Sequence, residues 1–235
     1  MRAKSDPSHS PEAASIWLRQ PRQGRREQAL SVDRIVAAAV QILDTEGLPG
    51  LTMRALAQHL SAGAPTLYWH VRNKDDVIDL AVDQIFGEIT VPDPAGKPWR
   101  DTAAVLAIAW RTVLVSHPWM PTAAIHRLNL GPNFSRQLEL LQATLHRAGF
   151  TGSELMAATW LIYNHVIGSA ASEAALTIDA HTRHAGLQLL RARADLYPTL
   201  AETGYLDDDN WQENFNTGLA YMLDGLQLQL DKTDM

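Results

Sequence analysis

"LTMRALAQHLSAGAPTLYWHVRNK", residues 51–74, decides the reading of this chain. A short amphipathic helix meets a three-residue break, and a second short helix begins at Pro65. That second helix carries Thr66, Tyr68, Trp69 and His70, with Arg54, Arg72 and Lys74 nearby in sequence. Thr52 can cap the first helix, because its hydroxyl accepts a backbone N–H that the first turn leaves without a partner. Leu56, Ala57 and Leu60 recur at helical spacing on its inner face. Ser61-Ala62-Gly63 makes the turn. Pro65 suits the first turn of the next helix, where its missing N–H costs nothing. Tyr and Trp beside cations, on a helix too short to bury much, read as a surface made for a partner. The alternative is that both aromatics belong to the core.

Outward from this stretch the pattern stays helical. Ser31 can cap a helix in which Val32, Ile35, Val36, Ala39, Ile42 and Leu43 recur at helical spacing, with Gly47 closing it. Asn73 is a plausible cap for a fourth helix from about Lys74 to Ile89. "VPDPAGKP", residues 91–98, holds three prolines and marks a connection. Beyond it the spacing predicts helices at 99–116, within 119–130, and at 132–148, 152–178, 182–196 and 209–230, with Gly149 and Pro198 as punctuation. "YLDDDNW" reads as a loop and cap before the last of these. No segment alternates as a strand does. The expected fold is all-α, with a flexible basic tail over 1–30, an N-terminal helical domain over 31–90 and a second helical domain over 91–235.

The 235 residues are 46% hydrophobic, enough for a sizeable core, and include no cysteine. Disulfides, thiolate catalysis and cysteine-bound zinc are excluded, in keeping with a reducing cytoplasm. The first 15 residues hold no apolar run and no segment offers the ~20 apolar residues of a bilayer span, so neither a secretory leader nor a membrane partner is expected. The net charge is −6, but it is uneven. Residues 16–74 carry eight basic and four acidic side chains, whereas 81–235 carry ten basic and seventeen acidic. Such asymmetry suggests a nucleic-acid-facing end, chance surface variation being the other explanation. "RQPRQGRR", residues 19–26, is either an arm along DNA phosphates or an inert leader. An enzyme is the main rival, but HExxH, GxSxG, a P-loop and GxGxxG before a strand are all missing. His181 and His184 stand three apart without a third ligand, so no metal and no cofactor is expected.

Three helices with a tight turn before the last match a helix-turn-helix, whose final helix enters the major groove while the preceding one crosses the backbone. A groove about 12 Å wide admits one helix. The run Pro65-Thr66-Leu67-Tyr68-Trp69-His70-Val71, then Asn73-Lys74, resembles the N-terminal domain of TetR-family transcriptional regulators, in the tetracycline-repressor branch. The resemblance implies that Thr52 and Arg54 contact the DNA backbone. It places Pro65, Thr66 and Tyr68 against bases and Trp69, His70 and Lys74 on phosphates. Ala64 stands where that branch has a base-reading glutamine, so a different operator is expected.

The remainder, more weakly, resembles that family's C-terminal domain. "PWRDTAAVLAIAWRTVLVSHP", residues 98–118, carries the branch's tryptophan opening and Ser-His close. The resemblance implies a homodimer on a palindromic double-stranded operator, released by a small-molecule effector. The stripe Trp211, Phe215, Leu219, Met222, Leu226 and Leu230, and the small residues Gly168-Ser169-Ala170-Ala171, are candidates for a four-helix interface. Ordinary core within one subunit is the other reading of the stripe. Candidate effector-lining residues are Trp110, His126, Asn129, Trp160, Asn164, His165 and Glu173, each with a packing or solvated alternative. Leu106 falls where tetracycline repressors have an asparagine, so an apolar or aromatic compound other than magnesium-bound tetracycline is expected. Helix 74–89 would link effector and DNA sites.

Overall fold

Ser31 opens the helical chain: its Oγ accepts from Arg34 N at 3.2 Å and caps α1, Val32–Gly50. The computed structural model describes residues 16–18, 30–90, 95–176, 179–204, 206 and 210–233. Among the described residues there is no strand. The helices after α1 are α2 (Met53–His59), α3 (Ala64–Tyr68), α4 (Lys74–Gly87), α5 (Trp99–Ser116) and α6 (Met120–Ile125). Then come α7 (Pro132–Ala148), α8 (Gly152–Ala175), α9 (Ala180–Ala192), α10 (Pro198–Thr203) and α11 (Trp211–Thr233). Residues Ile16–Leu18 form one 3-10 turn. The basic run 19–26 and most of the 1–30 tail lie outside the described residues, as do 91–94 and most of the acidic loop before α11.

Three elements differ from expectation for local reasons. Gly47 breaks α1 at φ 68°, a left-handed conformation glycine tolerates, yet the chain resumes helical geometry as far as Gly50. Asp179 starts α9 two residues earlier than expected by accepting from Thr182 N at 2.9 Å and Thr182 Oγ1 at 2.7 Å. Those bonds, the Thr182 backbone first, hold its carboxyl below the ordinary value. Pro198 does not merely stop a helix; it stands at the first position of α10, where no N–H is needed.

The chain forms two compact units that do not follow the boundary at residue 90 alone. The first comprises Met1–Thr90 and His117–Leu140, the second Val91–Ser116 and Leu141–Met235. In the first unit, α1 packs against α4 over a core that includes Ile35, Leu43, Leu56, Leu67 and Val77, all at most 1% exposed. The segment 117–140 joins this unit because α4 holds it. Phe86 packs on Phe134 with ring centroids 4.8 Å apart, and Gln137 Nε2 donates to Ile89 O at 3.1 Å.

In the second unit α8 lies against α5 and α11. Here the expectation for α11 needs correction. Phe215, Leu219 and Leu226 are buried within the subunit, together with Leu223, whereas Trp211, Met222 and Leu230 are half-buried, so the centre of the stripe is core. Phe215 stacks on His165 at 4.8 Å, which holds this face against α8. Ala170 is likewise internal, at 1% exposure, and Ser169 accepts a hydrogen bond from Arg111 Nε at 3.0 Å. Facing outward are Tyr221 and Leu228 on α11 and Leu161 on α8, together with Gly168, the first of the four small residues named from sequence.

Candidate nucleic-acid interface

The turn between α2 and α3 is tied by its own backbone. Ser61 N donates to Gln58 O and Ala62 N to Ala57 O, both at 3.0 Å, with Ser61 at φ 51°. Thr52 caps α2 by accepting from Ala55 N at 3.0 Å. A five-residue helix cannot hold itself together in water. Leu67 anchors α3 instead: it is fully buried, a contribution of about 1.5–3 kcal/mol for a side chain of this type. Val71, 2% exposed, anchors the segment that follows.

With Leu67 turned inward, its neighbours turn out. Thr52, Arg54, Ala64, Pro65, Thr66, Tyr68, Trp69 and His70 are all exposed. Trp69 is 78% exposed and Tyr68 47%, which removes the core reading of both aromatics. Lys74 is half-buried, its Nζ donating to Leu48 O at 2.6 Å in the last turn of α1. The nine sequence-derived positions therefore lie along α2, α3 and the start of α4, eight of them open to a ligand.

The helix that follows this surface holds a set of acids that sequence reading passed over. Asp76, Asp79 and Asp83 on α4 are 2, 4 and 5% exposed. Asn73 Oδ1 caps α4 by accepting from Asp76 N at 2.9 Å, and Asp76 Oδ2 accepts from Arg72 N at 2.9 Å. Asp79 Oδ1 accepts from Arg127 at 2.8 Å, and the same guanidinium reaches Asp75 Oδ1 at 2.5 Å and Asp75 O at 3.1 Å. Burial opposes the charge on Arg127, but the bonds to Asp79 and Asp75 outweigh it and raise its pKa. Asp83 Oδ1 accepts from Asn133 N and Phe134 N at 3.0 and 2.9 Å, so a side chain of α4 caps α7. Burial pushes the Asp83 carboxyl above the ordinary value, against the bonds from Phe134 and Asn133 that pull it down. The available signal was three aspartates at i, i+3 and i+7 in an otherwise apolar helix. Elsewhere in this unit, Asp44 Oδ1 accepts from Trp119 Nε1 at 2.7 Å and meets His117 Nδ1 at 2.7 Å. Trp119 and Asp44 also line an open cavity of about 320 Å³ with Leu43, Gly47, Leu48, Pro49 and Pro118, none of them foreseen as a site.

The candidate effector residues fall into separate groups. His126 and Asn129 lie in the first unit, His126 exposed and Asn129 donating to Ala124 O at 3.3 Å. In the second unit, Trp110 and Trp160 both set an edge against Tyr163, at 6.2 and 5.5 Å. Trp110 is 1% exposed and Trp160 54%. Asn164 is exposed. His165 Nε2 meets Phe215 O at 3.0 Å, and Glu173 pairs with Arg111. Both are thus engaged within the protein. Arg111, not singled out from sequence, is 3% exposed. It also donates to Gln212 Oε1 at 2.7 Å and lies over the Phe215 ring at 5.1 Å. A lone arginine inside "AVLAIAWRTVLV" was its signal.

A short helix held out by one buried leucine, behind a tight turn and a capped helix, defines a helix-turn-helix DNA-binding protein. Residues 35–81 match the model of bacterial regulatory proteins of the tetR family, and residues 91–230 that of the tetracyclin repressor-like C-terminal domain. A helix-turn-helix transcriptional regulator of Saccharopolyspora erythraea is 41% identical over 229 residues, covering 96% of this chain and 97% of that protein. The class E tetracycline repressor of Escherichia coli is 30% identical, covering 86% and 93%. The crystal structure of the TetR family protein ActR of Streptomyces coelicolor with actinorhodin superposes with a TM-score of 0.76 at 28% identity, covering 86% of this chain and 97% of that one. The chain belongs to the TetR family of transcriptional regulators.

Proposed function

We propose that the protein is a cytoplasmic repressor that binds a palindromic operator as a homodimer through Thr52, Arg54, Ala64, Pro65, Thr66, Tyr68, Trp69, His70 and Lys74, and that a small apolar or aromatic effector releases it. It acts by binding and not by catalysis. The observation that carries this is the exposed run Tyr68-Trp69-His70 on a helix pinned by a buried Leu67. Aromatic side chains so exposed cost solvation unless a partner covers them, and the cations beside them select a polyanion. The outward Leu161, Gly168, Tyr221 and Leu228 support a second copy packing on α8 and α11; a Cβ at Gly168 would meet nothing within 4 Å, leaving room for close helix approach. Two reading helices ~34–36 Å apart would then enter successive major grooves.

For the effector, the exposed Trp160 and half-buried Tyr163 rings, backed by the buried Trp110, support an aromatic contact surface, and the structure of ActR in complex with actinorhodin supports a small-molecule ligand. No helix of the described residues is long and apolar enough to cross a membrane. Binding-site selection from random DNA tests the reading, repeated with a panel of aromatic compounds. A twofold-symmetric consensus whose occupancy one compound abolishes is expected. Recovery of no consensus would overturn operator binding; a consensus that every compound leaves occupied would overturn effector release for those compounds.

A further inference from the structure

We propose that the open cavity between the end of α1 and the residues that open α6 is a binding site for a small organic cation, an ammonium group carried on an apolar body. The cavity lies wholly in the first unit, whereas the Trp160 and Tyr163 rings belong to the second. It is therefore a site additional to the effector surface named above.

Its walls are apolar and stiff. Leu43, Leu48, Pro49, Pro118 and Trp119 enclose about 320 Å³, near the lower end of the ~300–1,000 Å³ typical of small-molecule pockets. Two of these residues are prolines, whose rings fix the backbone and cannot rotate inward to fill the space. The break at Gly47 interrupts α1 just before Leu48 and Pro49.

Among the lining residues Asp44 alone is ionisable. Its Oδ1 is held from two sides, by Trp119 Nε1 and His117 Nδ1, each at 2.7 Å, which fixes the carboxylate in place. Its Oδ2 has no partner among the described residues. A fixed carboxylate with a spare oxygen beside an indole suits an ammonium group on both counts: the oxygen accepts a charge-assisted hydrogen bond, and the ring attracts positive charge.

The surrounding charge has the matching sign. His117 Nε2 lies 3.5 Å from Glu88 Oε2, so the imidazole stands between two carboxylates. Protonated, it offsets one of them; neutral, it offsets neither. Among the described residues neither acid pairs with a lysine or arginine, and Lys74 Nζ is bonded to Leu48 O. An anionic ligand would be repelled by Asp44, and a neutral one would leave its charge without a counter-ion.

The test titrates the full chain, free of DNA, with 4-phenylbutylammonium and in parallel with 4-phenylbutanol, which has the same body and no charge. The indole N–H resonance of Trp119, assigned among the seven tryptophans by its loss in Trp119→Phe, reports occupancy. A saturable shift with the amine is expected, with the alcohol about fivefold weaker, the upper range for a pair as solvent-exposed as Asp44 allows. Asp44→Asn keeps an acceptor for Trp119 and His117, and in it amine and alcohol should bind alike. Equal affinities in the wild type overturn the proposal, as does a preference for the amine that survives Asp44→Asn. So does a shift confined to the other indole resonances, which would place the amine elsewhere, or no shift at all. Should Asp44→Asn fail to melt cooperatively, Leu48→Phe decides by filling the cavity. Loss of the amine-induced shift is then expected, and wild-type affinity overturns the site.

Discussion

Tyr68 and Lys74 illustrate how differently two neighbouring contacts should behave. Tyr68 stands on the outer face of α3 with nearly half its surface in solvent. If it reads bases, Tyr68→Ala should weaken binding to a selected site at least about tenfold, with unrelated DNA unaffected, since one good base contact discriminates by ~1–3 kcal/mol. Gel shifts on matched and scrambled duplexes check this, and equal affinity of wild type and variant for the matched duplex would refute the role. Lys74 is proposed as a point charge for phosphate. Lys74→Ala should weaken all sequences alike and lower the salt slope by about one. Its Nζ also donates to Leu48 O, so a modest loss of thermal stability should accompany the change. A loss restricted to one sequence would show that Lys74 reads bases after all.

At the scale of elements, the joints matter more than the helices. Gly131 sits where Asp83 caps α7, and a Cβ there would lie 2.1 Å from Asp83 Oδ1. Gly131→Ala must push α4 and α7 apart or break the cap, costing about 2 kcal/mol or more. A melting temperature lowered by several degrees is expected, and an unchanged one would mean that the cap is dispensable. In the second unit, Arg111 binds α8 through Ser169 and Glu173 and α11 through Gln212. Glu173→Ala leaves a buried guanidinium short of its anion. Because Glu173 is 30% exposed at its side chain, the loss should be about 2 kcal/mol, below the ~3–5 of a fully enclosed pair. Urea midpoints measure it; a variant as stable as wild type would show that water replaces the carboxylate.

For the whole molecule, the titration of Asp83 sets a direction with pH. Its folded-state pKa is raised, so the folded chain holds this proton more tightly than the unfolded one. The stability it contributes is complete below the unfolded carboxylate value and is lost as pH rises through the folded one. Asp83→Asn, which cannot ionise, should flatten the pH dependence of the urea midpoint across that window; an unaltered profile would assign the dependence to other groups. The same buried acids explain why 117–140 travels with the head: α4 captures it through Asp79 and Asp83, and so residues 48–51 positions apart share one unit.

The sequence by itself determined most of the helices, the caps of α1, α2 and α4, and which residues of 51–74 stand exposed. Ser31, Thr52, Asn73 and Pro65 act within one turn of themselves, and the resemblance over 51–74 names its exposed face. Helical spacing also showed that α11 has an apolar stripe. Only the tertiary structure decided what covers it, because periodicity says that a face is buried and never against what; α8 takes Phe215, and Tyr221 and Leu228 are left outward. Arg111 and Arg127 were illegible for a related reason. A charge in a helix or loop carries no mark of the distant carboxylate it will meet, and here those carboxylates stand 62 and 48 residues away, brought near by packing that the arginines themselves did not direct.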